Sequence, residues 1–258
     1  MTISLAELAR YTDSLLETRV IPDYPNALNG VQIYNQAPIQ KVAAAVDFST
    51  RAIQGAVASG ANLLLVHHGM FWSGLEPITG SHYNRVRMLI EADIAVYSSH
   101  LPLDRHPTLG NNVLLAKELG IEPSGAFARF EDTLIGLLGE SDIETAALIA
   151  SALEFTRTRG GELRTSQVQA GRRTRKWAIC TGAGASADTL REATLMGVDT
   201  LIVGEGPHWT AVHAEENDLV IIYAGHYATE TLGVCALAQH LSEKYGLPWS
   251  FVSVPTGL

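Results

Sequence analysis

The chain repeats itself, and that repetition limits the folds open to it. In the first copy the apolar run Val42 to Val46 reads as a strand. A helix from about Ser49 to Ser59 follows, Gly60 ends it, and a second strand, Asn62 to Val66, runs into His67-His68-Gly69. In the second copy a strand at Trp177 to Cys180 precedes a helix from about Ala187 to Met196. Gly197 ends that helix, and Thr200 to Val203 runs into Gly204-Glu205-Gly206. Short continuous apolar runs are what parallel strands covered on both faces require. The duplicated strand-helix-strand order predicts an α/β fold of two pseudo-repeated lobes with largely parallel sheets and right-handed crossovers. Residues 1–125 form the first expected lobe; residues 126–258 supply a connecting segment and the second.

Each copy then offers a further strand with a matching end. Ile94 to Tyr97 leads into Ser-Ser-His100-Leu-Pro-Leu-Asp104, and Leu219 to Tyr223 leads into Ala-Gly-His226-Tyr-Ala-Thr-Glu230. Both follow the pattern Tyr-x-x-His-x-x-x-Asp/Glu. A helix is expected after each: Val113 to Leu119, capped by Asn111 or Asn112 and stopped by Gly120, and a second from about Glu230 to Leu241.

Functional groups in open α/β sheets collect beyond the carboxyl ends of strands, where His67, His68, His100, Asp104, His226 and Glu230 all fall. Neutral imidazole nitrogen and carboxylate oxygen suit zinc, manganese, iron or cobalt. Four His and two carboxylates give about three protein ligands for each of two divalent metal ions, with coordination positions left open. Side chains of adjacent residues on an extended segment diverge, so His67 and His68 can approach two neighbouring ions. Pro102, between His100 and Asp104, argues for a tight loop there rather than a shared helical face. A single His at a strand end is ordinarily a surface or hydrogen-bonded residue, the default for His82, His106 and His240. Repetition alone could equally preserve a turn. The coincidence of ligand chemistry, strand-end placement and repetition favours metal at the lobe interface.

The bulk properties narrow the function classes. A net charge of -9 over 258 residues argues against a general nucleic-acid binder, which neutralises phosphates with Lys and Arg. No apolar run reaches the length of a membrane span. The N-terminal segment, Met1 to Glu17, reads as an amphipathic helix rather than a signal peptide, with Ser4 and Glu7 as a capping-box pattern. Two cysteines, Cys180 and Cys235, lie in apolar stretches and read as reduced, buried small hydrophobes. A cytoplasmic location is expected. Thr156 to Lys176 carries seven basic residues and one acidic residue, Glu162, and reads as a solvated hairpin or loop, with a cationic rim for anionic substrates as the lesser alternative.

The chain resembles the Nif-three-like dinuclear metal-centre proteins, also known as GTP cyclohydrolase I type 2 homologues, over nearly its whole length. Asn29-Gly30-Val31-Gln32, Val66-His67-His68-Gly69, Ser99-His100 with Asp104, Leu109-Gly110-Asn111-Asn112 and Gly225-His226-Tyr227-Ala228-Thr229-Glu230 carry the resemblance. It implies that the same six residues are metal ligands, and that the chain assembles as a toroidal homohexamer with dinuclear sites facing an internal cavity. It also implies a nucleotide ring-opening activity of the GTP cyclohydrolase kind. The extra domain that longer members insert between the lobes is missing, and Gly204 to Trp209 matches only loosely.

Metal-dependent hydrolysis through an activated water is the expected chemistry, on a nucleotide, a phosphoester or another small anionic substrate. Glu205 and His208 are the candidates for proton transfer or for supporting hydrogen bonds, with His213 nearby; ordinary helix-surface positions are the competing reading for both histidines. Asp47 is placed to orient an imidazole, although nothing in the spacing demands it. Gly182-Ala-Gly184-Ala-Ser186 reads as a tight turn more than a phosphate cradle, since it lacks the P-loop Lys. Metal storage, delivery or regulatory binding without catalysis is the competing function, because it would use the same ligands.

Overall fold

A computed structural model describes residues 2–258. In chain order the first half contains α1 (Leu5–Leu15), β1 (Gly30–Ile33), β2 (Val42–Asp47), α2 (Thr50–Ser59), β3 (Leu63–His68), α3 (Gly80–Glu91), β4 (Ala95–Ser98), α4 (Leu101–Asp104) and α5 (Asn111–Glu118). Then come β5 (Pro123–Phe130), β6 (Thr133–Glu144), α6 (Thr145–Arg157), β7 (Arg164–Thr165), β8 (Arg173–Cys180), α7 (Ala187–Leu195), β9 (Thr200–Val203), α8 (Trp209–Glu216), β10 (Val220–Tyr223), α9 (His226–Tyr245) and β11 (Trp249–Phe251). The chain divides into two compact units: residues 1–103 with 233–254, and residues 104–232 with 255–258.

The first unit is built on a sheet of order β1-β4-β3-β2-β11, parallel throughout except for β1. Every residue of β3 and β4 is buried, as their unbroken apolar sequences require. The expected helix borders hold closely. Ser49 caps α2 by accepting the Ala52 N–H at 3.2 Å, and Gly60 closes it in the left-handed conformation at φ 71°. Small side chains let α2 lie close: a Cβ on Gly55 would meet Val252 Cγ1 at 2.2 Å. Ser4 caps α1 through the Glu7 N–H, and α1 turns Leu5, Leu8, Ala9 and Thr12 inward.

The second unit has a mixed sheet of order β5-β6-β8-β9-β10-β7. Its centre, β8-β9-β10, is parallel and carries the expected repeat; β5, β6 and β7 join antiparallel. β8 begins earlier than the apolar run Trp177 to Cys180, because Arg173–Lys176 pair along the acidic end of β6, with Glu140 opposite Lys176 and Glu144 opposite Arg173. Apolar layers cover both faces. Trp177, Ile179, Ile202 and Ile222 pack towards α5 and α6, and Cys180, Leu201, Val203 and Ile221 towards α7 and α8. The basic stretch after α6 is largely irregular and solvated. Arg157, Arg164, Arg172 and Arg173 pair with Glu154, Glu162, Asp218 and Asp142, so its charge is compensated locally.

Local expectations at Asn111, Asn112 and Pro102 change as well. Asn111 and Asn112 do not cap α5, which starts after Gly110; both amides are buried in side-chain hydrogen bonds instead. Pro102 does not force a loop, because it sits in the first turn of α4, where an N–H has no helical acceptor to lose. Among the described residues no helix is long and apolar enough to cross a membrane.

Candidate metal centre

In the first unit, β3 delivers His67 and His68 as its last two residues, and His100 follows β4. The three imidazoles are buried, and one nitrogen from each lies within 4.8 Å of the others. Their ring centroids are 4.9 Å apart for His67–His68, 4.9 Å for His67–His100 and 5.6 Å for His68–His100.

Each ring is turned the same way by an oxygen acceptor. His67 Nδ1 donates to the Ser99 carbonyl at 2.8 Å, His68 Nδ1 to Asp47 Oδ1 at 2.8 Å, and His100 Nδ1 to Asp23 Oδ1 at 2.7 Å. A neutral imidazole that donates from Nδ1 carries its lone pair on Nε2, the tautomer a metal requires. The Asp47 contact follows from register, since Asp47 and His68 are ladder partners between β2 and β3. Asp23 is held in turn: it accepts from Asn29 Nδ2 at 2.8 Å and from the Leu101 N–H at 2.9 Å. Burial works to raise its pKa, yet the hydrogen bond and charge of His100, with the bonds from Asn29 and Leu101, hold it below the usual carboxylate range.

The segment Asn29 to Gln32 braces this arrangement. Asn29 Oδ1 accepts the His100 N–H at 2.7 Å, and Gln32 Oε1 accepts the Met70 N–H at 2.7 Å. Gln32 lies so close to the turn after His68 that a Cβ on Gly69 would meet its amide nitrogen at 2.2 Å. Trp72 packs against two of the rings, with centroids 4.8 Å from His68 and 4.5 Å from His100.

The second unit carries the other repeat. α9 starts at His226, earlier than expected from sequence, so His226 and Glu230 occupy one face of its first turn, with Nε2 and Oε2 3.2 Å apart. The Nδ1 of His226 donates to Glu205 Oε1 at 2.8 Å, repeating the orientation seen in the first unit. Burial works to lower the His226 pKa, but Glu230 and then Glu205 overcome it and raise it to about 9 in the metal-free protein. Gly182, at φ 63°, brings its backbone against Glu230: a Cβ there would stand 2.1 Å from Oε1.

Asp104 is buried in the same unit, with its Oδ1 accepting from Asn111 Nδ2 at 2.7 Å. Asn112 ties this corner together, donating to the Asp104 and Ile135 carbonyls and accepting the Thr181 N–H. Burial, with Asp104 and Glu230 nearby, pushes the Cys180 thiol up to about 12 in the metal-free protein. Glu205, rather than His208, reaches His226. His208 is exposed at the start of α8, and His213 lies further along that helix with its ring edge-on to Trp209.

A buried three-imidazole group in one unit and a His–carboxylate pair in the other, with Nδ1 of every ring fixed by oxygen, fit a divalent cation by donor type and tautomer. Fold and donor set together define an α/β protein of two units with residues able to hold metal. The chain belongs to the Duf34/NIF3 (NGG1p interacting factor 3) family, whose model matches residues 3–256. A relative from Deinococcus radiodurans called GTP cyclohydrolase 1 type 2 homolog is 38% identical over 252 residues, covering 98% of this chain and 94% of that protein. Among solved structures, the protein ybgI, described as of unknown function, is 33% identical with a TM-score of 0.88, covering 99% of this chain and 100% of its own. TTHA1606 from Thermus thermophilus is also 33% identical, with a TM-score of 0.84 and coverage of 99% and 100%.

Proposed function

We propose that His67, His68, His100, Asp104, His226 and Glu230 hold two divalent metal ions, and that the protein is a metal-dependent hydrolase acting on a nucleotide or a related phosphoester. The observation that carries this reading is the common orientation of four imidazoles, each with Nδ1 donating to an oxygen at 2.7–2.8 Å. Metal-ligating histidines nearly always donate their other ring N–H to such an oxygen. Zinc, manganese, iron and cobalt all suit the donors. When bound, such ions supply Lewis acidity and lower the pKa of coordinated water.

The chain's own groups then have separate tasks. Asp47, Asp23 and Glu205 fix three of the rings and raise their basicity. Trp72 packs on the rings of His68 and His100 and gives the site an apolar neighbour. Glu205, bonded to His226 Nδ1, is the candidate to support that ring or to exchange a proton through it, with exposed His208 as the alternative acid or base. Ring opening of a purine nucleotide is the favoured reaction, since it consumes a water and since relatives bear the name GTP cyclohydrolase 1 type 2 homolog. A cytoplasmic homohexamer is the proposed working form; neither Cys180, which is buried as expected, nor Cys235, which is only half-buried, forms a disulfide, and this suits a reducing compartment.

The test is turnover of GTP, other nucleotides and simple phosphoesters by metal-loaded protein, with His226→Ala alongside. Turnover that needs metal and is lost in the variant supports catalysis. A full metal complement without turnover of any of them would reject the hydrolase and leave storage or delivery.

A further inference from the structure

We infer that a cleft of about 450 Å³ in the second unit binds a small molecule with an N–H donor head, an amidine or amine on a flat apolar body, and that Glu205 anchors it. The volume falls in the range of small-molecule sites. Tyr223 and Pro207 give the cleft an apolar wall, and the Tyr223 ring is fixed by the bond between its hydroxyl and Thr210 Oγ1 at 2.7 Å.

Charge decides the class of ligand. Glu162 and Arg164 line the rim, pair with each other and are 69% and 71% exposed, so they largely cancel. Glu205 is the remaining charged side chain of the lining, paired on one side with His226. One of its oxygens accepts from His226 Nδ1, and its side chain is still 42% exposed. An anion placed beside it meets a like charge, whereas an amidine or amine meets an acceptor carboxylate.

Neither His226 nor Glu230 lines the cleft. The two nitrogens of an imidazole face nearly opposite ways, so a ligand on Glu205 approaches His226 from its Nδ1 side, away from the Nε2 proposed to hold metal. A donor head on Glu205 competes with His226 Nδ1–H for one carboxylate. Loss of that support makes the imidazole a poorer ligand, and the effect is reciprocal: the ligand lowers metal affinity by the factor by which metal lowers ligand affinity. This coupling rests on the proposed metal site; the binding itself does not.

The test uses benzamidine and benzoate, two flat rings of similar size with donor and acceptor heads, in ligand-observed NMR titrations of the metal-free full-length protein. The expected result is saturable benzamidine binding, benzoate at least tenfold weaker, and at least tenfold loss of benzamidine affinity in Glu205→Ala. Tyr223→Leu, which leaves the carboxylate in place, should weaken benzamidine several-fold and guards against a misfolded Glu205 variant. Benzoate binding as well as benzamidine, no saturable binding of either, or unchanged affinity in both variants would overturn the site. Metal titration with and without saturating benzamidine then reads the coupling, with a drop of up to about tenfold expected. Unchanged metal affinity overturns the coupling alone. Failure to bind metal even without benzamidine overturns the proposed function and leaves the cleft standing.

Discussion

Asp23 Oδ1 lies 2.7 Å from His100 Nδ1, although 77 residues separate the two in the chain. Asp23 also receives the Leu101 N–H, so one carboxylate fixes both the ring and the backbone that follows it. Replacing it with Ala should lower metal affinity roughly 10- to 100-fold, the usual cost of losing such a partner. Asp23→Asn, which keeps an acceptor oxygen, should lose less. Metal titration of both variants checks this, and equal losses would contradict the orienting role.

Gly182 and Gly197 separate backbone strain from local crowding. Both have positive φ, at 63° and 67°, but an added methyl meets Glu230 Oε1 at 2.1 Å in the first case and nothing within 4 Å in the second. Gly197→Ala should cost about 1–2 kcal/mol from the left-handed backbone alone. Gly182→Ala should cost more and should also reduce metal binding by displacing Glu230. Denaturant unfolding and metal titration give the two readouts.

The metal-free protein should lose stability in mildly alkaline solution. The folded His226 pKa is about 9, above the ordinary value of 6.5, because the opposing charges of Glu230 and Glu205 outweigh burial. Its contribution is therefore fully present below about pH 6.5 and fades as pH rises through about 9. The swing is on the order of 3 kcal/mol. Thermal unfolding between these pH values should show it in the wild type and not in His226→Gln.

Gly55→Ala pits two effects against each other. Alanine favours the helix by about 1 kcal/mol, but its Cβ would stand 2.2 Å from Val252 Cγ1, and overpacking of this kind costs about 1–3 kcal/mol. Net destabilisation is expected. Val252→Ala should relieve it, so that the double variant is more stable than the sum of the single effects.

Much of this architecture is legible in the sequence because unbroken apolar runs and left-handed glycines are local signals. Val42 to Val46, Thr200 to Val203 and the stops at Gly60 and Gly197 lie where patterning puts them. The hairpin of β5 and β6 is not legible, since β5 gives neither a clean alternation nor an apolar run, and Gly136 and Gly139 break up the apolar residues Leu134 to Leu138 of β6. The candidate site divides in the same way. His67, His68, His100, His226 and their carboxylates stand out as repeated chemistry, and Asp47 is suggested by its strand end. Asp23 is a lone acid in an irregular segment, the Ser99 carbonyl belongs to no side-chain pattern, and the tasks of Asn111 and Asn112 appear only once burial is known. Such partners are brought in by tertiary structure, and sequence spacing holds no record of them.

The most direct test of the metal-centre account is anomalous diffraction from crystals of metal-loaded protein. Two peaks per chain are predicted, with the Nε2 atoms of His67, His68, His100 and His226 and the carboxylates of Asp104 and Glu230 as ligands at about 2.0–2.2 Å. Saturated crystals with no peak at these atoms, or with metal held through Nδ1 while the bonds to Ser99, Asp47, Asp23 and Glu205 are broken, would contradict it.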